Sequence, residues 1–269
     1  MASCSLPYTM DVVHLPASIP TVHEIESAVE IFSDTTGRKV VGKTMVFLAQ
    51  TTLIPLPRVY ARFQNSARDT TYIVMERIKG SSLDLEWPRM DVATKEAVAT
   101  QLRNVFREMR KLGFPGGYCS VDHGGLPDGL FWTADPSNPF ARPFDSEAKL
   151  NEAVIQKYVE NGLSKHKASY YTRTFAVVFQ NHEPTFSHAD FQRNNILMRE
   201  REAQSDGANP ELVLIDWEFA GWYPSYWDYA RAIFACGRWE DDWADWVDKV
   251  LEPFRNEYAW MGILREMWS

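Results

Sequence analysis

The period of apolar positions changes several times along the chain. Val22, Ile25, Val29 and Phe32 recur at helical spacing in TVHEIESAVEIF and predict a short amphipathic helix. KTMVFLAQTT, residues 43–52, predicts a second helix. IPLPRVYARF places two prolines before a β-rich run, and Tyr72, Ile73 and Val74 make TYIVMERI a strand. KGSSLDLEWPRM reads as a connector. Asp91 is placed to cap a long helix over 92–112, whose apolar set (Ala93, Ala97, Val98, Leu102, Val105, Phe106, Met109 and Leu112) keeps to one stripe. Residues 113–145, rich in Gly and Pro, predict a long irregular excursion. Helical patterns return over 146–161 and 164–182. NILMRE and ELVLID then predict two short strands joined by the polar turn REAQSDGANP. Beyond Pro224 the pattern is helical to the end. Trp239, Trp243, Trp246 and Val250 form a face that packs in the core, and Glu240, Asp241, Asp242, Asp245 and Asp248 form a solvated acidic face.

Composition narrows the classes. The 269 residues suffice for one large domain or two lobes, and 45% hydrophobic with 24% charged residues is ordinary for a globular protein. A net charge of −8 argues against a nucleic-acid or anionic-membrane partner. Cys4, Cys119 and Cys236 are scattered and make neither a disulfide framework nor a zinc site. The first twenty residues lack the pattern of a signal peptide, and no apolar run is long enough to span a membrane. The expectation is a cytoplasmic protein.

Two strings carry candidate chemistry. GRKVVGKT, residues 37–44, satisfies G-x-x-x-x-G-K-[ST] through Gly37, Gly42, Lys43 and Thr44. A phosphate-binding loop needs backbone conformations that suit small residues, and Val40 and Val41 are poor occupants of such positions. The segment before it predicts a helix where that motif requires a strand. A P-loop NTPase is therefore the second alternative. FSHADFQRNNILM holds His188, Asp190 and Asn195 at the spacing H-x-D-x-x-x-x-N, and Asp216 ends the second predicted strand. Phosphoryl transfer uses one Asp to take the proton of the attacking hydroxyl. It also uses an Asn and a strand-end Asp to hold magnesium. A catalytic loop followed by strand, turn and strand returns the chain so that these groups can converge. The competing reading of each Asp is a structural turn cap. His188 is read either as a packed core histidine or as a residue that orders the loop, and His123, His166 and His182 as surface residues.

HADFQRNNIL and IDWEFAGWYPSYWDYA resemble the two signature motifs of the aminoglycoside phosphotransferase and choline kinase superfamily, with Ala189 where the family commonly has Gly. The resemblance implies an α+β, protein-kinase-like two-lobe fold, with a shortened N-lobe over 1–79 and a mostly helical C-lobe over 80–269. It implies Asp190 as catalytic base, Asn195 and Asp216 as magnesium ligands, and ATP or GTP as phosphoryl donor. VMERI resembles the hinge, where the backbone of Glu76 and Ile78 would meet the base with Met75 behind it. Asp228 resembles the buried acid that ties the catalytic loop down. The acceptor implied is a small hydroxyl-bearing molecule.

The chain departs from the family upstream. Only SDTTGRKVVG separates the first predicted helix from KTMVFLAQ, too little for the phosphate-covering hairpin and the lysine strand. Val41 and Gly42 stand where relatives begin a helix with Glu-Gly or Glu-Ala. GRKVVGKT thus reads as the junction of a shortened lobe. Loss of one preorganised charge contact costs about 10²–10³ in rate. A weak kinase, a nucleotide-binding pseudokinase or interaction protein, and a shortened gene product all stay open.

Overall fold

The structure, a computed structural model, describes residues 8–9, 18–19, 41–65, 70–131, 133, 135, 137–200, 210–237 and 239–262. The helix expected over TVHEIESAVEIF and the first half of GRKVVGKT lie outside them. In chain order the elements are strand β1 (Tyr8–Thr9), helix α1 (Val41–Thr51), strands β2 (Val59–Asn65), β3 (Thr70–Met75) and β4 (Gly80–Ser82), the single turn α2 (Leu83–Glu86) and the long helix α3 (Val92–Arg110). There follow β5 (Cys119–Ser120), α4 (Glu147–Glu160), α5 (Lys165–Val178), β6 (Pro184–Ser187), β7 (Ile196–Arg199), β8 (Glu211–Leu214) and β9 (Gly221–Pro224). Helices α6 (Trp227–Phe234), α7 (Trp243–Val250) and α8 (Arg255–Met261) complete the described chain.

Local chemistry explains the main helices. The Asp91 carboxylate accepts the Thr94 N–H at 2.8 Å and caps α3 as expected, while Arg107 and Arg110 in its last turn suit the negative end of the helix dipole. Val98, Leu102, Val105, Phe106 and Met109 are buried along one stripe. Ala93 is exposed, so the stripe starts a turn later than the pattern indicates. Ser146 and Ser164 cap α4 and α5 by accepting the N–H of Lys149 and Lys167.

The sheets are antiparallel and small: β1-β2-β3, β4-β7-β8 and β5-β9-β6. The predicted hairpin is β7–β8, in register from Ile196 opposite Leu214 to Arg199 opposite Glu211. The presumed connector after the hinge contributes its third strand, Ser82 pairing with Leu197. β5, β6 and β9 were not foreseen. Each is four residues or fewer, β5 and β9 are buried throughout and β6 over its second half, so no alternation marks them.

One hydrophobic cluster joins Met45, Val46 and Leu48 of α1 to Leu102 and Phe106 of α3, Leu214 of β8 and Trp246 of α7. A second lies among α4, α5 and α6, with Leu150, Tyr171, Phe175 and Trp227. Trp243, Trp246 and Val250 pack in the first cluster as expected, but Trp239 lies before α7, exposed and at φ 59°. The acidic residues nearby are not merely solvated. The Asp242 carboxylate accepts the indole N–H of Trp87 at 3.0 Å and of Trp246 at 2.9 Å, and Lys95 Nζ reaches both its oxygens at 2.8 Å. Burial opposes that charge, yet these donors outweigh it and hold the carboxyl well below its usual range. Asp241 pairs with Arg193, and Asp248 with Arg255.

Candidate active site

Residues 188–195 connect β6 to β7, and several ties fix their course. His188 is buried, and its Nε2 lies 2.9 Å from the Ile215 carbonyl. A carbonyl only accepts, so Nε2 carries the proton. Nδ1 then accepts the Asp190 N–H at 3.3 Å. Burial keeps this imidazole below its ordinary pKa, which suits the neutral form both bonds require. Its ring packs against Trp217 with centroids 4.5 Å apart. His188 is thus both packed in the core and bonded to the loop backbone, as each of the two readings requires.

Ala189 adopts φ 63°, a left-handed conformation that costs an L-residue about 1–2 kcal/mol and that Gly would take without that cost. Its N–H donates to Asp228 Oδ1 at 2.9 Å, and its carbonyl accepts Arg231 Nε at 3.1 Å. Asp228 is fully buried, and both terminal nitrogens of Arg110 lie 3.2 Å from its Oδ2. Arg110 also donates to the Phe186 carbonyl at the end of β6. The loop is therefore clamped from below by α3 and α6.

Asp190 Oδ2 accepts Gln192 Nε2 at 2.9 Å and Asn195 Nδ2 at 2.8 Å. Asn195 Nδ2 also donates to the Asp190 carbonyl at 3.0 Å. Both amide hydrogens of Asn195 are spent on Asp190, which turns its side-chain oxygen toward other partners. Asp190 Oδ1 stands 3.9 Å from Arg231 Nη2, with the side chain 19% exposed. The Asn195 carbonyl accepts the Ile215 N–H at 3.0 Å, and Ile196 pairs with Leu214. Asp216 follows at once, exposed and at φ 63°, a conformation Asp tolerates better than most residues. The backbone thus brings Asp190, Asn195 and Asp216 to one end of the β7–β8 hairpin.

The hinge segment follows β3. Met75 is 46% exposed. Glu76 donates its N–H to the Arg58 carbonyl at 2.8 Å, and its carboxylate accepts the Arg58 N–H at 3.2 Å and Arg199 Nη1 at 2.5 Å. The Arg199 hydrogen bond, opposed by burial, holds that carboxyl below its ordinary value. Glu200 N–H reaches the Lys79 carbonyl at 2.8 Å, so the hinge is tied to β7 on both sides. Neither the Glu76 carbonyl nor the Ile78 N–H enters a backbone hydrogen bond among the described residues.

The described part of the P-loop string is helical. Gly42, Lys43 and Thr44 lie in the first turn of α1, Thr44 is buried, and Lys43 Nζ pairs with Asp122 at 2.6 Å.

Gln192, Arg231 and Arg110 join the site without sequence signals of their own. Gln192 lies inside HADFQRNNIL and Arg231 three residues after Asp228, whereas Arg110 stands near neither motif. His182 was misread as a surface residue. It is buried, with Nδ1 2.7 Å from Glu147 Oε1 and Nε2 3.5 Å from Glu257 Oε1. Its partners lie 35 and 75 positions away in the chain, beyond any local pattern. His123 and His166 are exposed, as expected. Among the described residues no three His, Cys, Asp or Glu side chains form a metal cage, and no helix is long and apolar enough to cross a membrane.

The sequence matches the profile of the Phosphotransferase enzyme family over residues 41–264. No curated protein matches it. Among solved structures, the GDP and kanamycin complex of APH(2")-IIia is similar at 14% identity and a TM-score of 0.52, covering 86% of this chain and 73% of that one. The GDP complex of wild-type aminoglycoside 2'-phosphotransferase-IIIa is similar at 14% identity and a TM-score of 0.50, covering 84% and 71%. These likenesses establish the fold as α+β and kinase-like, with a small N-terminal part and a mostly helical C-terminal part.

Proposed function

Because the chain belongs to the phosphotransferase enzyme family, we propose that it transfers a phosphoryl group from ATP or GTP to a hydroxyl of a small molecule. The observation that carries the reading is the double hydrogen bond from Asn195 Nδ2 to the carbonyl and carboxylate of Asp190. It occupies Asp190 Oδ2 and leaves Oδ1 to receive a proton. In this reading Oδ1 accepts the acceptor's hydroxyl proton as the alcohol oxygen attacks the terminal phosphorus of the nucleotide. Arg231, with Nη2 3.9 Å from Oδ1, helps hold the carboxylate in place. The Glu76 carbonyl and the Ile78 N–H bind the base, with Met75 beside it. Residues 1–79 and 80–269 then form the two sides of the nucleotide cleft.

The Asn195 side-chain oxygen and the Asp216 carboxylate are hard oxygen donors of the kind magnesium takes when nucleotide phosphates complete its shell. Both fit the ion, which when bound would neutralise phosphate charge. The GDP and kanamycin held by the relative support a nucleotide and a hydroxyl-rich acceptor, and a net charge of −8 suits a cationic one.

A second reading, a nucleotide-binding pseudokinase, is favoured by the Lys43–Asp122 pair, which engages the one basic residue of α1. One experiment separates the two. Nucleotide with magnesium should raise the melting temperature, since a hundredfold excess over Kd contributes about 2.7 kcal/mol. Asp216→Asn should erase the magnesium-dependent part, and Asp190→Ala should abolish transfer while keeping the shift. A shift without transfer to any hydroxyl acceptor establishes the pseudokinase. A flat melting curve with every nucleotide overturns both readings.

A further inference from the structure

A cavity of about 610 Å³ opens between the C-terminal half of α3 and the segment that follows α7. Arg103, Arg107, Arg110 and Lys249 line it, and Glu252 is its one carboxylate. This concentration of cations stands out in a chain of net charge −8. The three arginines recur at i, i+4 and i+7 on α3, an arrangement of like charges that weakens an isolated helix. The fold compensates it only in part: the helix dipole favours Arg107 and Arg110, and Asp228 pairs with Arg110. Arg107 is exposed and makes no ion pair or hydrogen bond among the described residues. Arg103 uses one donor, Nε to the Lys249 carbonyl at 2.7 Å. Arg110 spends three of its five N–H groups on Phe186 and Asp228 and keeps Nε–H and one Nη2–H. Lys249 pairs with Glu96 at 3.2 Å, so Arg103 and Arg107 are the two lining cations without a carboxylate partner among the described residues. Phe106 and Phe254 add aromatic surface to the lining.

We propose that this cavity is a binding site for a small polyanion, a phosphorylated molecule with a ring or apolar portion. Its volume is that of ordinary small-molecule sites, and planar guanidinium groups bind phosphate bidentately. The site is separate from the Asp190 loop but reaches it through one side chain. Arg110 faces the cavity and also grips Asp228, whose other oxygen holds the Ala189 N–H. An anion that engages Arg110 therefore bears on the clamp of the catalytic loop. None of this depends on phosphoryl transfer.

Inorganic pyrophosphate, titrated calorimetrically into the full chain in magnesium-free buffer, is the probe. Saturable binding is expected, weakened at least tenfold by Arg107→Ala, the loss that one charge-assisted contact implies. Arg107 has no hydrogen bond or ion pair among the described residues, so this variant should keep the wild-type melting temperature. Asp216→Asn should bind as wild type. No saturable binding, equal binding by Arg107→Ala, or a loss in Asp216→Asn instead would each overturn the proposal. Pyrophosphate should also slow hydrogen exchange at the Ala189 amide in wild type and not in Arg107→Ala. Unchanged exchange in both overturns the link to the loop.

Discussion

Replacing Asp228 by Ala removes the acceptor of the Ala189 N–H and the anion of Arg110 in one step. The Ala189 amide lies in a fully buried residue, and a buried donor left unsatisfied costs about 1–3 kcal/mol. Arg110 is 30% exposed, so water recovers part of its lost pairing, leaving about 1 kcal/mol from that side. The expected loss is about 3 kcal/mol, read as a fall in urea midpoint with unchanged slope. Arg110→Met alone should cost more, about 3–5 kcal/mol, because it strands a carboxylate with no exposed surface. The double variant removes both charges and should fall short of the sum of the single losses by at least about 1.5 kcal/mol. Losses additive within about 0.5 kcal/mol, or a loss below about 1 kcal/mol for Asp228→Ala, would refute the claim that this pair clamps the loop.

Lys43→Ala should cost less than about 1 kcal/mol, since its pair with Asp122 is partly exposed, and should change nucleotide affinity little. A drop in affinity beyond about a hundredfold, roughly 2.7 kcal/mol, would restore the P-loop reading. For His182, burial opposes the charge but Glu147 and Glu257 together raise its pKa above 6.5. Its stabilisation is fully present below that pH and is lost as pH rises through the raised folded value. The melting advantage of wild type over His182→Gln should shrink across that window. An advantage that grows with pH would contradict the sign. Glu76 has its pKa lowered, so the advantage of wild type over Glu76→Gln should be full above pH 4.5 and vanish as pH falls through the depressed folded value. A pH-independent difference would show that the Arg199 tie contributes nothing.

The elements with long periodic patterns were readable in the sequence. The α3 stripe, its Asp91 cap and the β7–β8 hairpin follow from spacing alone, and the order of loop, strand, turn and strand pointed to Asp190, Asn195 and Asp216 before any geometry was known. What escaped was set by partners remote in sequence. β4 becomes a strand because Leu197 and its neighbours pair with it, although three residues carry no period. Asp242 looks like one acid among many, and only the fold brings Trp87 and Lys95, about 150 positions away, onto its carboxylate. Arg110 reads as a favourable charge in a last helical turn, whereas its role is fixed by Asp228 and Phe186 on other elements.

The same contacts indicate why the loop geometry does not require the segment that is short relative to the family. Every described tie on residues 188–195 comes from α3, α6, the β7–β8 hairpin, the loop itself or the α2 and α7 flanks. No hydrogen bond or ion pair on this loop among the described residues comes from before residue 83, where β4 packs against residues 193–195. Helix α1 adds its Met45, Val46 and Leu48 to the core shared with α3 and α7, so the upstream part rests on this framework. The groups proposed to take the proton and hold the metal are thus preorganised by the C-terminal part, while a phosphate clamp would have to come from upstream. On the proposed reading, metal-dependent nucleotide binding and transfer are therefore separable. Supplying an upstream cation should change the rate of transfer far more than it changes the arrangement of Asp190 and Asn195.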